Sequence, residues 1–193
     1  MTPTLDDIKK LHIKYSPNKP VFNLVYQHCE IVANIAKWCS GNVDVKVDWK
    51  LLQAACLLHD IGTYAFFNKK GETTNEQLYP QHAILGAKIL IDEGVDQKIA
   101  NIVETHILLG LTKKEIIDRP WPLPARDYEP TTIEGKLLCY ADRFHSKHPV
   151  FNSYQTFLAR LKQDLPLQAK KFEKWAELFG IPDIETIAKE YDH

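Results

Sequence analysis

Apolar positions recur along this chain at steps of three and four, the spacing that becomes one face of an α-helix. Val21, Val25, Val32, Ile35 and Cys39 form one such stripe, in which His28 is the polar member. From Leu51 to Leu58 only Gln53 is polar, which marks a helix buried on most sides. That run ends in His59-Asp60, followed by Gly62, a residue suited to the turn that stops a helix. A helix from about Gln81 to Glu93 places His82, Gly86, Ile89 and Leu90 on one face. In the next, Ile99, Ile102, Val103, His106 and Leu109 or Gly110 share a face, with His106 inward. The apolar segment Leu137 to Ala141 leads directly into Asp142.

Capping residues support these boundaries. Thr4 with Asp7 and Thr112 with Glu115 read as capping boxes, the first opening a helix from Leu5 to about Tyr15, and Asp48, Asp96 and Thr132 are N-cap candidates. Between Thr63 and Pro80 the periodicity fails, so a long loop is expected, either a surface excursion or the border of a pocket. The prolines from Pro120 to Pro130 predict a stiff, extended segment. Three amphipathic helices follow, Val150 to Leu161, Leu167 to Phe179 and Ile184 to Tyr191, and they carry no visible chemistry. The expected fold is all-α, one domain over residues 1–193.

The polar residues on the apolar faces are the candidate chemistry: His28, His59, Asp60, His82, His106 and Asp142. Each alone fits a structural role, because a buried histidine commonly just hydrogen-bonds a carbonyl. Four imidazoles and two carboxylates in one small core are hard to satisfy separately, whereas a metal centre satisfies them together. His12, His145, His148 and His193 sit near element ends or among polar neighbours and are set apart from the cluster.

Composition narrows the setting. With 193 residues, 45% hydrophobic and 25% charged, the chain can bury one sizeable core. A net charge of -1 gives no footprint for nucleic acid or an anionic membrane. The polar start MTPTLDDIKK and the absence of a long apolar run point to no export signal or spanning helix, and to a cytoplasmic protein. Cys29, Cys39, Cys56 and Cys139 have no metal-knuckle spacing and are expected as reduced, buried thiols.

The set resembles the HD-domain superfamily of metal-dependent phosphohydrolases, whose signature reads H…HD…D. It is met here as QHC at 27–29, LLHDIG at 57–62 and YADRFHSK at 140–147. The subset with two further histidines is matched by YPQHAILGAKIL at 79–90 and VETHILLGLTKKEI at 103–116, so the likeness spans residues 20–147 and leaves the C-terminal helices from about Val150 as an extension. Within the superfamily it resembles a small, poorly characterised bacterial and archaeal group in which a loop like LPARDYEPTTIEGKLLCYAD, here at 123–142, precedes the last aspartate. The resemblance implies an HD-type helical bundle in which His28, His59, Asp60 and Asp142 hold one divalent transition metal, with Asp60 bridging to a second held by His82 and His106. Iron, manganese, nickel, cobalt or zinc would suit these ligands, as one or two ions per chain. It further implies hydrolysis of a phosphate ester or anhydride in a nucleotide or other small phosphorylated metabolite, with His59 and Asp60 at the catalytic centre and water as nucleophile. Arg143, Arg126 and Lys147 are candidates to bind the phosphate, with Lys69 behind them. Some HD-domain proteins use a similar ligand set in a mixed-valent diiron oxygenase, and a non-catalytic metal-binding regulatory module is a third reading. Hydrolysis is favoured because ILLGLTKKEI after His106 and the loop before Asp142 look more like the hydrolase group.

Overall fold

The apolar stripes of this sequence become the buried faces of a layered helical bundle. The computed structural model describes residues 1–147 and 150–191; His148 and His193 lie outside the described residues. In chain order the helices are α1 (Leu5–Tyr15), α2 (Lys19–Ser40), α3 (Trp49–Leu58), α4 (His82–Asp92), α5 (Gln97–Glu104), α6 (Lys113–Asp118), α7 (Ile133–Ala141), α8 (Tyr154–Asp164), α9 (Pro166–Phe179) and α10 (Ile184–Lys189). The capping boxes at Thr4 and Thr112 form, and Asp48, Asp96 and Thr132 each accept a backbone N–H at the start of their helix.

Helix α3 packs against α1, α2, α5 and α7, which explains why its sequence is apolar nearly all round. Leu52, Ala55, Cys56 and Leu58 are fully shielded there. Helix α4 lies on α5 and on a 3-10 turn at Ile61–Phe66 that continues from the end of α3. All four cysteines are buried free thiols.

Helices α8 and α9 pack on each other, α9 reaching back to α7 and α8 to the 3-10 turn at Asp142–Phe144. The Phe172 ring meets Tyr140, Phe144, Tyr154 and Phe157, and Tyr140 Oη donates to Gly180 O at 2.8 Å. The extension therefore buttresses the helix that ends at Asp142.

Three boundaries differ from the pattern-based reading. Residues 63–80 are not a plain loop: 3-10 turns occupy Ile61–Phe66 and Glu76–Gln81, with a bridge between Phe67 and Thr73. The helix expected to run through Leu109 ends at Glu104, because Thr105 Oγ1 bonds back to Asn101 O and Ile102 O and the chain then turns through a left-handed Leu108 at φ 54°. The stretch from Val150 begins as a strand, β2 (Val150–Phe151), paired antiparallel with β1 (His145–Ser146), and α8 starts only after the Ser153 cap. Periodicity sees neither the local side-chain bonds nor a two-residue pairing.

Candidate metal centre

Helix ends leave backbone carbonyls without intrahelical partners, and histidines close to those ends can satisfy them. This chain makes such an imidazole bond three times with the same spacing, although Tyr79 O also accepts the backbone N–H of His82. His59 Nδ1 lies 2.7 Å from Cys56 O, His82 Nδ1 2.7 Å from Tyr79 O, and His106 Nδ1 2.5 Å from Val103 O, each three residues back. A carbonyl only accepts, so each Nδ1 carries the proton and each Nε2 presents a lone pair.

Those lone pairs face one another. His82 Nε2 and His106 Nε2 are 2.9 Å apart, and His59 Nε2 and His28 Nε2 are 3.2 Å apart. In the first pair both nitrogens are acceptors when the rings are neutral, so no hydrogen bond can form between them. Burial removes the alternative of charging a ring. It pushes His28 and His106 down to about 4 and His59 down to about 3, and holds His82 well below the usual imidazole range.

Asp60 stands between the two pairs. Its Oδ2 lies 3.3 Å from His28 Nε2 and 3.5 Å from His59 Nε2, while its Oδ1 lies 3.4 Å from His82 Nε2 and 3.9 Å from His106 Nε2. Asp142 Oδ1 closes the first group, 3.1 Å from His28 Nε2 and 3.5 Å from His59 Nε2. Burial would raise the Asp60 carboxyl, but the Lys147 ammonium and the surrounding imidazoles outweigh it and hold the group well below the carboxylate range. Opposed lone pairs at short range, with an ionised carboxylate offering one oxygen to each side, fit divalent cations on both sides of Asp60. Imidazole and carboxylate donors without thiolate suit a transition metal of borderline character.

The centre sits at the floor of a cavity of about 640 Å³ whose walls include His28, Asp60, His82, His106 and Asp142. Arg143 and Lys147 also line it: Arg143 contacts the Asp142 carboxylate, and Lys147 contacts Asp60 with its ammonium 5.3 Å from the Tyr79 ring centroid. Arg126 does not line the cavity. It pairs with Glu104 at 2.5 Å and lies 4.3 Å from the Tyr128 ring centroid, because the extended proline-rich segment turns it onto the surface. Lys69 is absent from the lining, and its carbonyl accepts from Asn18 Nδ2 at 3.1 Å.

His12 and His145, expected near element ends or among polar neighbours, do lie near element ends, but both are buried. His12 Nε2 is 2.7 Å from Leu57 O and its Nδ1 is 2.8 Å from Tyr64 Oη, so it ties α1 to the turn that carries His59 and Asp60. His145 Nδ1 lies 2.8 Å from His28 Nδ1 and gives that mid-helix ring the partner which the other three find in a carbonyl. His12 is at helical spacing from the buried Ile8, so the two share the inward face of α1.

A third addition comes from the C-terminal extension. Phe157 and Arg160, one turn apart on α8, both line the cavity, and Arg160 has no ion-pair partner among the described residues. A lone arginine in an amphipathic helix gives no signal that periodicity can read.

The comparisons with known proteins agree with this geometry. Residues 25–147 match the HD domain family. The chain belongs to that family. Among curated relatives, a tRNA (cytidine(56)-2'-O)-methyltransferase of Picrophilus torridus is 31% identical over 171 residues, 87% of this chain and 46% of the relative. An uncharacterized protein of Methanocaldococcus jannaschii is 36% identical over 121 residues, 61% of this chain and 64% of the relative. The chain thus spans roughly half to two thirds of these relatives' lengths. The crystal structure of the HD domain of the L. monocytogenes phosphodiesterase PgpH superposes with a TM-score of 0.54 at 18% identity, covering 94% of this chain and 93% of that one. A second PgpH structure, in complex with cyclic-di-AMP, superposes equally well, with a TM-score of 0.54 at 18% identity over 94% of this chain and 92% of that one. At that identity the likeness shows the HD fold. Among the described residues no helix is long and apolar enough to cross a membrane.

The HD cluster makes acid stability a test of its own. His12, His28, His59 and His106 stay neutral in the folded protein down to about 4 or below, but take up protons near 6.5 once unfolded. The unfolded state therefore binds more protons between those limits. Stability of the metal-free protein is complete above pH 6.5 and falls as pH drops toward 4. The slope is about 1.4 kcal/mol per pH unit for each histidine that must charge on unfolding. Urea melts at half-unit pH steps check this, and a flat profile from pH 7 to 4 would contradict neutral, buried imidazoles.

Proposed function

We propose that this HD domain is a metal-dependent phosphohydrolase acting on a nucleotide or another small phosphorylated metabolite. The observation that carries the reading is the convergence of unprotonated imidazoles and two carboxylates at the floor of a cavity that also presents Arg143, Lys147 and Arg160. His28, His59, Asp60 and Asp142 would hold one ion, and Asp60, His82 and His106 a second. Divalent metal bound there supplies the Lewis acidity that activates water and offsets charge on a phosphoryl oxygen.

The chain's own groups do the rest. The Asp60 carboxylate stays ionised and bridges the two halves. The second nitrogens of His59, His82 and His106 are anchored to backbone carbonyls, which fixes where each Nε2 points. Arg143 and Lys147 bring positive charge to the place where a phosphoryl group would sit, and Phe67, Trp121 and Phe157 add apolar wall suited to a base or other organic group. The cavity volume is within the usual range for small-ligand sites. The PgpH relative is named a phosphodiesterase and binds a cyclic dinucleotide, which supports a nucleotide-like substrate.

The test is phosphate release from a nucleotide panel after chelation and reloading with manganese, iron(II), cobalt, nickel or zinc, run beside an oxygen electrode. Expected is hydrolysis that vanishes on chelation and returns with metal. Oxygen uptake without phosphate release would replace this reading by the diiron oxygenase, and metal binding with neither activity by the regulatory module.

A further inference from the structure

Tyr79 carries a buried hydroxyl whose Oη makes no hydrogen bond among the described residues. Such a group costs stability, because its hydration is lost and an ammonium beyond hydrogen-bond geometry replaces it only in part. Its position gives the cost a purpose. Tyr79 lines the cavity above the HD cluster, its ring lies 4.8 Å from the His82 ring, and the Lys147 ammonium sits 5.3 Å from its ring centroid. The backbone is held as well, since Tyr79 O accepts from His82 Nδ1 at 2.7 Å. The ring is thus pinned on two sides while its Oη, outside hydrogen-bond geometry with any described residue, has the Lys147 ammonium beside it.

We propose that the Tyr79 hydroxyl is a ligand-binding donor, reserved for an anionic phosphoryl oxygen seated over the cluster. It works beside Lys147, which approaches Asp60, so the phenol and the ammonium offer hydrogens to the same anion from one wall. Burial pushes the phenol up to about 12, so it keeps its proton at neutral pH and donates. The inference rests on the phosphohydrolase reading for the nature of the ligand, but its test does not require turnover.

Tyr79→Phe removes the oxygen and keeps the ring. Calorimetric titration of manganese-loaded protein with inorganic phosphate is expected to show affinity reduced roughly tenfold, the size of a hydrogen bond to a charged group. Thermal melts of the metal-free variant are expected to show a Tm equal to or above that of the parent, since an unsatisfied hydroxyl has gone. A structural hydroxyl would give the opposite pair of results, a lower Tm and unchanged phosphate binding. Tyr128, whose buried hydroxyl likewise meets no hydrogen-bond geometry and lies beside a cation, Arg126, but which does not line the cavity, supplies the control. Tyr128→Phe should leave phosphate affinity at the parent value. Phosphate affinity of Tyr79→Phe within twofold of the parent, at equal manganese content, overturns the inference whether or not the enzyme hydrolyses anything. A tenfold loss in a protein that hydrolyses no phosphate ester leaves the donor in place and removes the phosphohydrolase reading alone.

Discussion

Asp60→Asn is expected to abolish tight metal binding in both halves of the centre at once. The substitution keeps the shape of the side chain and removes the charge. Asp60 Oδ2 faces His28 and His59 while Oδ1 faces His82 and His106, so this one carboxylate serves both groups. An amide offers one acceptor in place of two ionised oxygens, and its N–H₂ group would point at imidazole lone pairs on one side only. Loss of groups that merely orient metal ligands costs about 10 to 100-fold in affinity, and loss of a bridging ligand should cost more. Elemental analysis after loading and desalting should show retained metal dropping to well below one per chain, with phosphate release falling at least about a hundredfold. Unchanged metal content in the variant would remove Asp60 from the centre.

Gly62→Ala is the second large effect, and it acts through packing. A Cβ at Gly62 would lie 2.0 Å from His82 O, 2.4 Å from Gly86 N and 2.9 Å from Gly86 Cα. These are backbone atoms of the helix that begins with His82, and they cannot swing away as a flexible side chain would. The 3-10 turn and α4 must therefore separate, which costs about 3 kcal/mol or more by the usual scale of overpacking. The same shift moves His82 away from His106 and Asp60. Urea melts should show the loss of stability, and metal titration should show the His82 half weakened. Gly94→Ala makes the comparison, because nothing lies within 4 Å of its added Cβ and only the positive φ of 72° opposes it. Its cost should stay near about 1 kcal/mol. Equal melts for the two variants would show that the close approach at Gly62 is dispensable.

The cluster of buried polar side chains was legible in the sequence because its residues violate hydrophobic patterning. His28 interrupts a stripe, and His59-Asp60 and Asp142 end apolar runs, so each announces a buried polar group with something to satisfy. The helical bundle was legible for the same reason, since periods of three and four survive whatever the tertiary arrangement. His106 was seen as inward though the helix expected to carry it stops at Glu104, because burial depends on the turn's packing and not on its helicity. His145 was missed because its partner, His28, is far away in sequence and is brought to it only by the antiparallel pair after Asp142. Arg160 was missed because an exposed cation on an amphipathic helix looks alike whether it faces bulk solvent or a cavity. Arg126 illustrates the converse: a cation near the site in sequence that a stiff loop points elsewhere.

The most direct measurement is the anomalous scattering of crystals of the manganese-loaded protein. Two peaks are expected, one among His28, His59, Asp60 and Asp142 and the other among Asp60, His82 and His106. Crystals without a peak at either place, in protein shown to be folded and exposed to excess manganese, would contradict this expectation.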